Sequence, residues 1–223
     1  MDISGLDIVQ VEATPPPLEL TLEGIEALKD ELVAYHREFA RLYYRVEQAH
    51  WGYMYLQGLL SPIESKAIQP MAMALEGGDI QAMQQFIGQG QWQDGKLLRK
   101  HWRLVDESLG EEDGVWITDG SEFPKKGEHS AGVARQWCGQ LGKRANCQVG
   151  VFLGYASQHG YTLLNRRLYL PEEWVTDKSY ADRRKKCGVP DDISFKTKPE
   201  LVLDMVKEVA DNGQLRFRWL TCD

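Results

Sequence analysis

Two aspartates in this chain of 223 residues each close a short apolar run. Asp119 follows Trp116-Ile117-Thr118 and precedes Gly120-Ser121-Glu122-Phe123-Pro124-Lys125-Lys126-Gly127, while Asp223 ends Phe217-Arg218-Trp219-Leu220-Thr221-Cys222. A carboxylate at a strand end is a hard oxygen ligand of the kind Mg²⁺ and Mn²⁺ prefer, and both ions keep positions open for water and phosphate. Two such ions about 4 Å apart activate a water and stabilise a leaving 3′ oxygen in phosphodiester hydrolysis. Alone, Asp119-Gly120 reads as a turn dipeptide. Its reading as a ligand depends on whether the fold brings the second aspartate to it.

The elements after residue 114 are those of a sheet. Cys147, Val149, Val151, Leu153 and Tyr155 alternate with Gln148, Gly150, Phe152, Gly154 and Ala156, and Gln158-His159-Gly160 turns the chain into a second strand over 161–170. Thr197-Lys198-Pro199-Glu200 is a capping box opening a helix whose stripe is Leu201, Val202, Met205, Val206 and Val209, ending at Asn212-Gly213. A strand over 215–220 follows. The helix can return the chain over the sheet, so the last strand is expected parallel to the first. Asp119 and Asp223 then become neighbours at about the interstrand spacing of ~5 Å. Carboxylates that close raise one another's apparent pKa unless a cation neutralises them.

The first half is helical. Residues 1–20 contain Pro15-Pro16-Pro17 and read as an irregular lead-in. Leu22, Ile25, Leu28, Leu32, His36, Phe39, Tyr43 and Val46 mark one apolar stripe along a long amphipathic helix, a core face by default. Ser61-Pro62-Ile63-Glu64 has the form of a capping box and predicts a helix start, with a stop at Gly77-Gly78. Asp79 can cap the next helix, through Met83, Phe86 and Ile87, and another runs roughly 94–109. Asp79, Gln81, Gln84 and Gln85 offer no basic recognition face, so a simple bundle is preferred to a helix-turn-helix. Gly110-Glu111-Glu112-Asp113-Gly114 reads as a hinge to the sheet region.

Composition narrows the class. With 43% hydrophobic residues the chain can bury a core, and no apolar run is long enough for a membrane span, so it reads as cytoplasmic with no membrane partner. Cys138, Cys147, Cys187 and Cys222 lack zinc or disulfide spacing and read as buried, reduced thiols; the five scattered histidines are assigned no chemistry. Net charge is −7, divided as 9 basic and 19 acidic residues over 1–114 against 17 basic and 14 acidic over 115–223. Only the second part has an electrostatic case for a polyanion, and the total counts against strong nucleic-acid binding by this chain alone.

The stretch from Trp116 through Asp119 to Glu128-His129-Ser130 resembles the first catalytic strand of DDE-type insertion-sequence transposases. Val133-Ala134-Arg135-Gln136-Trp137-Cys138-Gly139-Gln140-Leu141-Gly142-Lys143, Ala145-Asn146-Cys147-Gln148-Val149-Gly150 and Tyr169-Leu170-Pro171-Glu172-Glu173-Trp174 resemble the same group in the same order. So do Gly58-Leu59-Leu60 and Gln85-Phe86-Ile87, and the likeness covers roughly residues 25–223.

The resemblance implies an α+α/β fold: an all-α bundle over 21–110, then an incomplete ribonuclease-H-like mixed sheet over 115–223. It makes Asp119 and Asp223 the first and second catalytic, metal-binding aspartates, with Mg²⁺ or Mn²⁺ as cofactor. A glutamate on a later helix completes the family's site; none follows Asp223, so the chain is expected to be an N-terminal portion, inactive alone. Glu122 and Glu128 read as solvated loop residues and not as substitutes. Lys125 and Lys126 can hold phosphate as point charges, and Arg183, Arg184, Lys185 and Lys186 can contact DNA backbone, although a solvated basic loop explains the second run equally well. The expected partners are double-stranded DNA at element ends and a second copy or a full-length transposase. The alternative is a non-catalytic remnant that binds DNA or transposase.

Overall fold

The computed structural model describes residues 21–91, 93–213 and 215–222. The chain divides into two compact units, at Gly90/Gln91.

Among the described residues the first unit holds four helices, α1 (Leu22–Ala40), α2 (Val46–Leu60), α3 (Ile68–Ala74) and α4 (Ile80–Gln89). The single long helix expected across 22–46 is broken. Arg45 is extended, and the Gln48 side-chain oxygen accepts from the Tyr44 and Arg45 amides, which starts α2 afresh. No α1 residue is fully buried, so its stripe is only partly a core face. Ser61 does not open a helix either. Its hydroxyl donates to Gly58 O at 2.6 Å and its amide to Gln57 O at 2.9 Å, which spends the residue on closing α2, and α3 begins only at Ile68. Asp79 does cap α4, accepting from the Ala82 amide at 2.7 Å. Met71, Ala72 and Met83 form this unit's fully buried cluster, with Trp51, Tyr55 and Ile63 packed around it.

The second unit opens with α5 (Asp94–Leu109), followed by β1 (Val115–Pro124), β2 (Ala134–Cys138), β3 (Lys143–Ser157), β4 (Gly160–Tyr169), α6 (Glu172–Thr176), α7 (Ala181–Lys186), α8 (Lys198–Asp211) and β5 (Trp219–Cys222). Eight α-helices and a mixed five-stranded sheet among the described residues make the chain α plus β. The sheet runs β2-β3-β1-β5, with β4 also paired to β3. All pairs are antiparallel except β1–β5, which is parallel, as the crossover through α8 requires.

Side chains on one sheet face meet α5 and α8. Trp116, Val151, Leu153, Tyr155 and Leu164 pack with Trp102 and Val105 of α5, Met205 and Val209 of α8, and Leu215. Trp102 is an interior anchor, its indole N–H donating to Leu164 O at 2.8 Å. The helix at 94–109 therefore groups with the sheet, because its apolar side needs this core to cover it.

The stretch 110–114, read as a hinge, is pinned within this second unit. The Glu111 amide donates to the Tyr155 hydroxyl, Arg216 donates to Gly110 O, and the Arg218 amide donates to Gly114 O. Gly114 sits against the Tyr155 ring, where a Cβ would lie 2.7 Å from Cζ. Two of the four thiols, Cys138 and Cys147, are buried as expected; Cys187 is half-buried and Cys222 exposed.

Candidate active site

Alternation along β1 decides where Asp119 faces. Trp116 and Thr118 are buried toward α8, so Ile117 and Asp119 are turned outward and are exposed. On one side Asp119 is opposite Phe152 of β3. On the other, the parallel register runs from Val115↔Trp219 to Thr118↔Cys222, and the Thr118 hydroxyl donates to Thr221 O at 3.4 Å. Asp119 thus follows the last β1 residue paired with a described residue of β5. Its Oδ1 accepts from the Gly120 amide at 2.6 Å, and Oδ2 has no hydrogen-bond partner among the described residues. Asp223 lies outside the described residues.

Glu122 and Glu128 have other duties. Glu122 Oε2 accepts from the Gly139 amide at 3.2 Å, holding the 3-10 turn Gly139–Leu141 against β1, and Glu128 pairs with Arg183 at 3.5 Å. Among the described residues no three His, Cys, Asp or Glu side chains converge as a metal site. Past Thr118 on β1 the described residues therefore offer an exposed hard-oxygen ligand, Asp119, with one oxygen unengaged. That suits a divalent cation in kind but does not complete its shell.

The two basic runs come together through contacts that the sequence did not signal. Lys125 and Lys126 follow β1 directly with exposed side chains, and the Lys125 amide donates to Asn146 O at 2.9 Å. The loop after them is tied to α7 by the Glu128–Arg183 pair and by the Cys187 thiol donating to His129 O at 2.8 Å. Within the second run the residues differ. Arg183 lies over the rings of Tyr180 and Trp174, at 4.9 and 5.8 Å, and Arg184 donates to Trp174 O and Asp177 O. Both clamp α6 to α7, while Lys185 and Lys186 are exposed.

At the other end of α8 from β5, the capping box forms as expected. Thr197 Oγ1 accepts from the Glu200 amide and the Glu200 carboxylate takes the Thr197 amide, which holds the Glu200 pKa below the usual carboxylate range. The next residue, Lys198, places its ammonium 4.0 Å from where a Cβ on Gly120 would stand. The sequence marked Lys198 only as part of a helix start.

No helix among the described residues is long and apolar enough to cross a membrane. Neither the curated proteins nor the solved structures compared with the chain contain a match. A family described as DDE superfamily endonuclease matches residues 38–223, which include every described strand, β1 with Asp119 among them. With most of its length inside that match, the chain belongs to the DDE superfamily endonuclease family.

Proposed function

We propose that this chain acts on DNA phosphodiesters as a transposase of the insertion-sequence type, with a ribonuclease-H-like sheet carrying Asp119 and Asp223 as ligands of Mg²⁺ or Mn²⁺. The observation that carries the reading is the position of Asp119. In a chain of this nuclease family, an exposed carboxylate with an oxygen unengaged among the described residues directly follows Thr118, which pairs with Cys222 in the parallel β1–β5 ladder. Asp223 follows Cys222, the last β5 residue in that ladder, in sequence. A bound divalent ion would supply charge neutralisation and an activated water at the phosphodiester. Asp119 would present its unengaged Oδ2 to the ion, with its other oxygen fixed by the Gly120 amide. Lys125, Lys126, Lys185 and Lys186 would take backbone phosphates as point charges, with Arg183 and Arg184 positioning the segment that carries the last two.

Mn²⁺ binding followed by electron paramagnetic resonance tests the metal assignment apart from turnover. Asp119→Asn is expected to weaken Mn²⁺ binding at least tenfold with an unchanged melting temperature, since the carboxylate is exposed. Equal Mn²⁺ affinity in the variant would sink the assignment.

A second reading is a module that docks on DNA without cutting it, since no three His, Cys, Asp or Glu side chains converge among the described residues. Duplex binding that survives both EDTA and Asp119→Asn, with no nicking in Mg²⁺, would select it.

A further inference from the structure

Two of the four cysteines, Cys138 and Cys147, are fully buried, each at 0% exposure, and their side chains meet. The ladder does not make them partners, since it pairs Cys147 with Ala134 and Cys138 with Lys143. Even so, the Cys147 thiol donates at 3.6 Å to the carbonyl of Trp137, the residue before Cys138, and the two thiols are hydrogen-bonded to each other. A buried cysteine ordinarily packs as a small apolar side chain among apolar neighbours. Here each sulfur has the other beside it, and this pairing comes from the bend of the chain and not from sequence spacing.

The surroundings keep the pair reduced while the strand is closed. Burial pushes the Cys147 thiol up from its ordinary value, and the Cys138 thiol and the Glu122 carboxylate act in the same direction, against the Lys198 ammonium. The thiolate is the reactive form, so the closed structure reacts slowly. β2 stands at the end of the sheet order and, among the described residues, pairs with β3 alone. A short edge strand is the part of a sheet that opens locally at low cost. Its opening brings Cys138 to solvent while Cys147 stays on the long β3.

We propose that Cys138 and Cys147 form an oxidisable dithiol, which a hydroperoxide converts into an internal disulfide that locks the end of β2 onto β3. One sulfur attacks a peroxide oxygen as the thiolate. The O–O bond breaks, the sulfur is oxidised to a sulfenic acid, and the peroxide is reduced to an alcohol, or to water in the case of hydrogen peroxide. The other thiol attacks the sulfenic sulfur, the S–S bond forms, and the hydroxyl leaves as water with the thiol's proton. The link would lie beside the turn Gly139–Leu141, which Glu122 holds on β1. It does not depend on the nuclease reading.

The test uses the full chain with Cys187→Ser and Cys222→Ser, so that only the buried pair can react. After treatment with hydrogen peroxide, both remaining thiols should resist iodoacetamide in denaturant, and the monomer mass should be lower by two hydrogens. A tryptic digest without reductant should hold together the peptides bearing Cys138 and Cys147, which cleavage after Lys143 and Arg144 otherwise separates. Dithiothreitol should restore both thiols, and Cys138→Ser in the same background should give no internal link. Amide exchange over 136–141 should be slower in the oxidised form than in the reduced one. Two thiols that still take iodoacetamide, under peroxide that oxidises Cys222 of the wild type, would overturn the pairing. Sulfinic acid on either cysteine, or a link between chains in place of the internal one, would overturn it too. Unchanged exchange in a chain shown to be linked would overturn the lock.

Discussion

His36 shows how one side chain couples stability to pH. It lies between Tyr53 and Tyr43, with ring centroids at 5.3 and 6.3 Å, and its Nε2 is buried without a hydrogen-bond partner among the described residues. Burial holds its pKa below the ordinary 6.5, outweighing a hydrogen bond to the backbone of Ala49 that acts the other way. The folded chain therefore binds the proton less readily than the unfolded chain. The stabilising contribution is complete above the unfolded pKa of 6.5 and declines as pH falls below it. His36→Gln should flatten that decline in melts between neutral and mildly acidic pH; an equally steep decline would place its origin elsewhere. The sequence showed His36 on the α1 stripe, but only contacts distant in sequence reveal its unpartnered nitrogen. The strand carrying Asp119 was legible for the opposite reason, since a short apolar run followed by Asp-Gly is a local pattern.

Among the elements, those written in a clean period were readable from sequence. The alternation from Cys147 to Tyr155 became β3, and the capping box at Thr197 opened α8 with Glu200 in its expected place. Elements defined by tertiary contact were not. Nothing local told the capping-like Ser61 to serve the preceding helix, and β2 exists through its pairing with β3 over Ala134↔Cys147 to Cys138↔Lys143. The linker 110–114 was read for its glycines as flexible, whereas Gly114 is a close-packing site. A Cβ there would overlap the Tyr155 ring and hydroxyl, so Gly114→Ala should cost about 1–3 kcal/mol. Adding Tyr155→Phe removes the oxygen at the collision and should recover part of that loss; strict additivity in the double-mutant cycle would contradict the clash.

At the scale of the molecule, the two units have unequal interiors. The fully buried cluster of the first contains Met71, Ala72 and Met83, while that of the second joins ten residues including Trp102, Trp116 and Tyr155. Apolar burial is the dominant source of stability, so the first unit should melt at lower temperature than the second. Calorimetry should then show two transitions, or one with a calorimetric enthalpy well above the van't Hoff value. Equal enthalpies would mean that the units fold as one. The net charge of −7 gives no general attraction for DNA, so the DNA binding proposed above would rest on local cations such as Lys125, Lys126, Lys185 and Lys186.

Among the described residues the β1–β5 ladder joins segments about a hundred residues apart through four register pairs, and the β5 side chains from Trp219 to Cys222 are exposed. Closing so long a loop carries an entropic cost that a solvent-facing strand repays late. The core hairpin and α8 can consolidate before β5 arrives, which makes assembly of the candidate site one of the last events of folding and its release one of the first of unfolding. Native-state hydrogen exchange should find β5 amides opening at lower free energy than those of β3. The chain would then pass through states in which most of the sheet is native while the strand leading to Asp223 is still undocked.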